Sequence, residues 1–414
     1  MRILILTQWF QPEPMFKGLP FAKALRDRGH QVEVLTGFPN YPGGKIYPGY
    51  RLRPWKREVM DGIPVIRTAL YPSHDSSGLK RMLNYLSLSA SSALFGARLV
   101  QKPDVVYVYN LITLGPTARL LRFFKGCKIV LDVQDLWPES VAGSGMMKNS
   151  FLLRAVTNWC RREYSAPDHL TVLSPGFKQH LVARGIPESK IDVIYNWCNE
   201  GHGAEPIPGR EALIKQCGFS GRFNILFAGT MGKMQALDTV VEAARILSSQ
   251  DSRVLFTLMG GGVEVERLKE AARGLPNVQF LPRCSPSQAT AIMSLADVLL
   301  VHLKDDPLFS ITIPSKTQAY LHAGKPILMG VRGDAADLVD RAKAGIVFEP
   351  ENSGKLAEAA LCLSRTPGDE LQQMGRNGKA FYDEQLSFAR GVDRFEELFL
   401  KVWSAATRRR SVSA

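Results

Sequence analysis

The chain has 414 residues, with 52 Lys and Arg against 39 Asp and Glu, giving a formal charge of +13 and a pI near 9.5. Hydrophobic content of 45%, charged content of 22% and 35 glycines exclude a disordered or fibrous chain. The length suggests two domains, each large enough to bury its own core.

The opening MRILILT has a short apolar run that stops at Thr7 and Gln8, too short for a signal-peptide core, and reads as a first strand. No stretch approaches the roughly 18 consecutive apolar residues of a membrane span. Six scattered cysteines (Cys127, Cys160, Cys198, Cys217, Cys284 and Cys362) argue against zinc ribbons, CxxC redox chemistry and a disulfide framework, so reduced cytosolic thiols are expected.

Strands are expected at Arg2–Leu6, Gln31–Thr36, Asp104–Tyr109, Lys128–Val133, His169–Leu173 and Ile191–Tyr195, with helices at Phe21–Arg28 and Leu79–Leu99. The second half repeats the plan at Phe223–Ala228, Val254–Met259, Val278–Leu281, Val298–His302, Ile327–Met329 and Gly345–Phe348. Strands alternating with helices of this length predict an α/β protein of two doubly wound, Rossmann-like domains with parallel sheets facing a cleft. The expected division is residues 1–200, a Gly- and Pro-rich linker 201–210, residues 211–385, and a C-terminal helix 386–414 that packs back toward the first domain and ends in a frayed tail. Ligands of such folds bind outside the carboxyl ends of the strands, so the loops there are the ones to search.

In the first half those loops offer Glu13, Lys17 and Gly18, the Pro39–Gly44 segment with Tyr41, then Asn110, Asp135 and Glu139. Asp135 follows a buried-looking strand, where an acid can orient or deprotonate a hydroxyl, or cap the helix that begins near Pro138.

Three loops of the second half suit a phosphate. Gly229-Thr230-Met231-Gly232-Lys233 follows a strand and is expected to open a helix, as is Gly260-Gly261-Gly262. The third is Pro314-Ser315-Lys316, with Pro314 at the first helical position and Gly324 at the C-terminal cap. Lys316 then lies in a first helical turn, where the dipole disfavours a cation unless an anion shares the site. It is either a solvated lysine beside a helix cap or a diphosphate ligand.

The first loop is no Walker A motif, because Met234 stands where Ser or Thr would hold magnesium. Thr7–Pro14 has no GxGxxG, which argues against a dinucleotide oxidoreductase. The seven histidines are far apart, and no GxSxG or Cys–His nucleophile pattern is present, so no metal and no cofactor is expected.

These residues resemble a known family along nearly the whole chain. Gly29-His30 before QVEVLT, Pro39–Gly44 with Gly49-Tyr50, and Asp135–Ser140 (DLWPES) carry it in the first half. Phe227-Ala228-Gly229 and Pro314-Ser315-Lys316 with Ala323-Gly324-Lys325-Pro326 carry it in the second. The chain is similar to the retaining nucleotide-sugar glycosyltransferases of family 4, with GT-B architecture, in the branch that builds O-antigen, capsule and exopolysaccharide repeats.

The resemblance implies a second domain that binds the nucleotide-sugar donor through Gly229, Thr230, Lys233, Gly261, Gly262, Arg283, Ser310, Pro314, Ser315, Lys316 and Gln318. Arg283 falls where such enzymes wall in the base. Ser310 and Gln318 fall where the wider family carries a Glu-x7-Glu pair, and Thr230 and Gln235 where it carries Arg and Lys. The first domain is implied to bind the acceptor through Glu13, Lys17, Gly18, Tyr41, Asn110, Asp135 and Glu139. Asp135, Lys233 and Lys316 are the expected catalytic groups, and no essential metal is implied.

The implied reaction moves a UDP-linked N-acetylated or deoxy hexose, such as one of the N-acetylfucosamine type, to a polyprenyl-pyrophosphate-linked acceptor. The positive charge and the basic residues of Leu79–Arg98 and Leu111–Lys125 then suit the anionic inner-membrane surface of a cytoplasmic, peripherally bound enzyme, or are simply the solvated faces of two domain helices. A nucleotide-sugar epimerase of the same plan and a basic nucleic-acid-binding protein are the competing readings. The basic residues form no aromatic-interleaved stripe, so nucleic acid is not an expected partner.

Overall fold

The computed structural model describes residues 1–73, 77–140, 150–201 and 209–412. The chain divides into two compact units, Met1–Ile194 with Gly391–Ala414, and Tyr195–Arg390. The division therefore falls at 194/195 and 390/391, not at 200 and 386, and most of the proposed linker lies outside the described residues.

The first unit is an eight-stranded sheet in the order β3-β4-β2-β1-β5-β6-β7-β8. Its strands are β1 (Arg2–Thr7), β2 (Gln31–Gly37), β3 (Trp55–Met60), β4 (Ile63–Thr68), β5 (Val105–Asn110), β6 (Lys128–Val133), β7 (His169–Val172) and β8 (Ile191–Val193). Buried β-branched runs such as Val105–Val108 form its middle, as expected of strands covered on both faces.

The sheet is not wholly parallel: β3 runs antiparallel to β4. That hairpin was not anticipated. Its edge strand, WKREVM, alternates exposed with half-buried residues and carries charge where an inner strand carries valine. Asp61-Gly62, both at positive φ (47° and 81°), makes the tight turn and was the available signal.

The C-terminal helix Phe388–Val412 completes this unit. Phe395 packs on Phe21 (5.4 Å between ring centroids) and Tyr107 (5.3 Å), while Glu396 pairs with Arg28 (2.8 Å) and His30 (2.7 Å).

The second unit has six parallel strands in the order β11-β10-β9-β12-β13-β14. They are β9 (Phe223–Thr230), β10 (Val254–Gly261), β11 (Val278–Leu281), β12 (Val298–His302), β13 (Ile327–Gly330) and β14 (Gly345–Val347). Strand order reverses between β9 and β12, and a doubly wound sheet opens a crevice at the carboxyl ends of such a pair. Two apolar layers fix the sheet, with Leu226, Leu299 and Ile327 in one and Phe227, Phe256 and Leu300 in the other.

Candidate active site

At the β9/β12 reversal lies a cavity of about 600 Å³, within the range of small-ligand sites. Its wall is built from the ends of β9 (Ala228, Gly229, Thr230), β10 (Met259, Gly260, Gly261) and β12 (Val301, His302), and from the helix Ser315–Ala323. That helix starts after Pro314, which is the N-cap and not the first helical residue, and ends on left-handed Gly324. The hydroxyl of Tyr320 locks it to the sheet, accepting from the Ala228 N–H (2.9 Å) and donating to the Ala228 carbonyl (3.3 Å).

Lys316 is half-buried in the first turn. Its ammonium lies 3.4 Å from the Phe227 ring centroid, and no ion pair to a carboxylate is formed among the described residues. Desolvation pulls its pKa down to about 7. Gly229, at φ 144°, makes room for it: a Cβ there would stand 2.5 Å from the Lys316 Cε. Gly260 serves the backbone instead, since a Cβ would come within 1.9 Å of the Gly229 carbonyl oxygen. These two glycines are therefore required by close packing of lysine and loop. Gly261 is different, because its missing side chain would point into open space. Gly261→Ala is expected to leave the melting temperature unchanged and to weaken nucleotide binding about tenfold by calorimetry, a cost near 1.4 kcal/mol.

Of the expected donor residues, the cavity gathers Gly229, Thr230, Gly261, Arg283, Pro314, Ser315 and Lys316. Lys233, Gly262, Ser310 and Gln318 are not in its lining. Lys233 is exposed on a short 3-10 turn (Lys233–Gln235) that ends at left-handed Ala236. The glycine loop therefore does not open directly into an α-helix; that helix begins at Asp238. Gly262 packs against the Met231 backbone, and the helix after the second loop begins only at Val265. Ser310 donates to the Pro307 carbonyl at 2.8 Å.

Gln318 is buried, and its amide nitrogen turns back onto the carbonyls of Pro314 (2.8 Å) and Ser315 (3.2 Å). Helical spacing explains the correction. Residues 315, 316, 319 and 320 share the cavity face, so Ala319 occupies the position expected of Gln318. Among the described residues no Asp or Glu lines the cavity.

Several lining residues were not anticipated. Met259, Cys284, Ala289 and Met293 give one end an apolar slot beside Arg283, suited to a flat ring. Gln235 also lines it. His302 donates from Nδ1 to the Gln235 carbonyl (2.8 Å) and accepts at Nε2 from the Glu351 N–H (3.1 Å), which suits the neutral imidazole that burial favours.

In the first unit, Asn110 ends β5 in the left-handed region (φ 78°), with its side-chain oxygen unpaired among the described residues. Asp135, after β6, keeps an open face, and desolvation raises its carboxyl above the ordinary range. Burial pushes up the hydroxyls of Tyr85, Tyr109 and Tyr164, and the nearby Asp135 charge adds a smaller push in the same direction. Tyr85 stands edge-on to the buried Trp9 (6.2 Å), which in turn packs on Tyr41 (5.1 Å).

Glu13 and Lys17 are interior groups instead. Glu13 accepts from the N–H groups of Phe10 (3.1 Å), Asn40 (2.8 Å) and Tyr41 (2.8 Å), pinning one loop to the next. Lys17 pairs with Asp132 at 2.6 Å, both side chains no more than 1% exposed. Gly18 is the buried N-cap of the helix Leu19–Asp27, where the Gln11 side chain accepts from the Leu19 N–H at 2.6 Å. Glu139 is engaged by Arg184, which also donates to the Trp137 carbonyl at 3.0 Å. Among the described residues no group of three His, Cys, Asp or Glu is placed to hold a metal ion.

Residues 19–197 match a glycosyl transferase 4-like domain, and residues 222–366 match the glycosyl transferases group 1. The chain is thus an enzyme that transfers sugars, built as a GT-B glycosyltransferase with one such domain in each half. It is 29% identical over 311 residues to WcaI of Escherichia coli (strain K12), by name a colanic acid biosynthesis glycosyl transferase, covering 72% of this chain and 75% of the relative. It is 25% identical over 271 residues to WbjE of Pseudomonas aeruginosa, by name a glycosyltransferase, covering 62% of this chain and 67% of that one. Among solved structures, Anabaena HepE in complex with UDP-glucose has the same fold, with a TM-score of 0.67 at 16% identity, over 97% of this chain and 100% of that one.

Proposed function

We propose that this enzyme is a retaining glycosyltransferase of bacterial surface-polysaccharide synthesis. It takes a UDP-linked N-acetylated or deoxy hexose and passes it to a polyprenyl-diphosphate-linked saccharide at the cytoplasmic face of the inner membrane. The observation that carries the donor half is Lys316, a cation set at a helix start in a cavity where, among the described residues, no carboxylate pairs with it and no acid lines the wall. A diphosphate satisfies the lysine and the free N–H groups of that turn together.

The apolar slot by Arg283 takes the base, and Ala319, one turn on from Lys316, lies under the ribose that joins base to phosphate. The colanic acid name of one relative and the UDP-glucose in the HepE structure support polysaccharide synthesis and a UDP-sugar.

In the reaction the anomeric C–O bond to the diphosphate breaks, leaving an oxocarbenium-like sugar and a more negative leaving group. Lys316 and the amides at the start of its helix stabilise that charge where it develops. The acceptor oxygen bonds to the same face of the sugar. Its proton passes to a diphosphate oxygen, with Asp135 orienting the hydroxyl.

A thermal-shift screen of UDP-, GDP- and dTDP-sugars tests the donor assignment, since a ligand present at about 100 Kd stabilises by about 2.7 kcal/mol. A UDP-sugar should raise the melting temperature, and NMR of the product formed with a lipid-linked acceptor should show the donor's anomeric configuration kept. No shift with any nucleotide-sugar would sink the reading. Conversion of the donor without acceptor would make the protein an epimerase.

A further inference from the structure

The surface of the first unit differs from that of the second in two independent ways. The whole of the net charge resides there, with 31 Lys and Arg against 17 Asp and Glu, whereas the second unit has 21 against 22. Large exposed hydrophobic residues are concentrated there too: of the seventeen among the described residues, fourteen belong to the first unit.

Their densest array is on the helix Gly78–Leu99. Leu79, Leu83, Leu86, Ala90 and Leu94 follow one another at steps of four, three, four and four, which is a single stripe along a helix. All five are exposed, Leu79 by 73% and Leu94 by 63%. The opposite face, with Asn84, Leu88 and Ser92, is the one buried against the unit. A helix with one face packed against its unit and a row of leucines on the other has that second face still to cover.

The neighbouring helix Gly115–Lys125 packs alongside, joined through Ser92 and Thr117 at 3.0 Å. Near its end Phe123 (79% exposed) and Phe124 (63%) stand edge to face at 5.1 Å, out in solvent. Lys80 and Arg98 flank the leucine stripe on one side, and both are exposed.

The basic residues of these helices are not all available for a purely electrostatic contact. Arg119 is paired with Glu163 (2.8 Å) and Arg122 with Asp168 (2.6 Å). What the two helices offer is chiefly apolar, rimmed by positive charge.

We infer that this two-helix face is a membrane-docking surface, and that its occupant is an anionic lipid bilayer. The leucines and the Phe123-Phe124 pair enter the boundary between headgroups and acyl chains, and the rim lysines and arginines meet anionic headgroups. Two observations favour a bilayer over a second copy of the chain. The patch lies in the unit that carries all the net charge, which two copies would bring together. It also runs toward the loops proposed to hold the acceptor, because Asn84 on the same helix bonds Gln8 (2.7 Å) and Asn40 (3.2 Å). Docking would set those loops at the interface from which a lipid-linked saccharide projects. In that respect the inference rests on the proposed acceptor, but the binding itself does not.

Flotation of the full chain with vesicles of phosphatidylglycerol and phosphatidylcholine tests it. The protein should float with the mixed vesicles, less so with rising salt, and not with phosphatidylcholine alone. L83S/L86S and F123S/F124S should each lower the bound fraction at least tenfold, with the melting temperature and the UDP-sugar thermal shift retained. K80E/R98E should remove the preference for anionic lipid. The inference is overturned if both serine pairs float like the parent chain. It is equally overturned if the parent does not bind vesicles, or if the serine variants change the oligomeric state by light scattering. Because nucleotide binding is read separately in solution, failure to float leaves the donor assignment standing, and loss of the thermal shift in the parent leaves docking standing.

Discussion

Lys316→Ala should lower kcat/KM by about 10²–10³, equivalent to about 2.7–4 kcal/mol for removing one donor from a developing oxyanion. The same change should raise the melting temperature of the free enzyme at neutral pH. Both outcomes follow from one arrangement. The ammonium is packed on Phe227 with no carboxylate beside it among the described residues, and desolvation holds its pKa at about 7.

The unfolded chain keeps an ordinary lysine pKa of about 10.4. Between these values the unfolded state binds more protons than the folded one, so stability rises with pH across that window. The cost of the charged lysine is fully present below pH 7. Alanine removes that cost and removes the function with it.

Binding has the opposite dependence. A diphosphate selects the protonated lysine, so below about pH 7 the amine is ready and donor affinity is flat with respect to this group. Above it each pH unit should weaken binding by up to about tenfold, because the anion must be joined by a proton. Calorimetry from pH 6.5 to 9 reads this directly, and proton uptake shows as a dependence on buffer ionisation enthalpy. Lys316→Arg keeps its charge throughout and should flatten the curve. A Lys316→Ala enzyme with parent-level kcat/KM would remove this residue from the mechanism.

Asp135→Asn is the second large effect. A group that positions or accepts a proton contributes about 10²–10⁴ in rate, so kcat should fall by that factor while the donor thermal shift persists. Desolvation has raised this carboxyl above its ordinary value. The folded state therefore binds more protons than the unfolded one just above the ordinary carboxylate range, and stability falls with rising pH there. Wherever the carboxylate is ionised, its desolvation costs stability, which asparagine relieves. The parent's rate should decline as pH drops through the raised pKa, and the Asn variant should lose that limb of the profile. An Asn variant that is slow, less stable and unchanged in pH profile would reveal Asp135 as a structural residue only.

Much of this architecture was legible in the residues. The β-branched runs predicted every strand of both sheets except β3 and β4 to within one or two positions, because a strand buried on both faces must be apolar throughout. β3 escaped because an edge strand is free to carry Lys56, Arg57 and Glu58, and β4, an inner strand interrupted by Pro64 and Arg67, escaped with it. In the donor cavity, Gly229 and Lys316 could be picked out separately, but their steric coupling could not. It depends on a strand end and a helix start 87 positions apart meeting within a side chain's length.

Position within a helix decided the rest of the site. Gln318 has the chemistry to hold a ribose, and one residue of helical rotation turns it onto its own helix and gives the cavity Ala319. Glu13 and Lys17 likewise have the charges of an active site, yet burial commits one to three backbone N–H groups and the other to Asp132.

Two α/β sheets, the glycines, prolines and cations at their carboxyl-end loops, and the excess of positive charge are readable from the residues alone. Those are properties of local pattern and composition. Which of those groups face a common cavity is a matter of three-dimensional packing, because facing is set by helix phase and by the strand order β11-β10-β9-β12-β13-β14. Packing also decided that the net charge and the exposed leucines share one unit, since exposure is a property of what packs where and not of the residue.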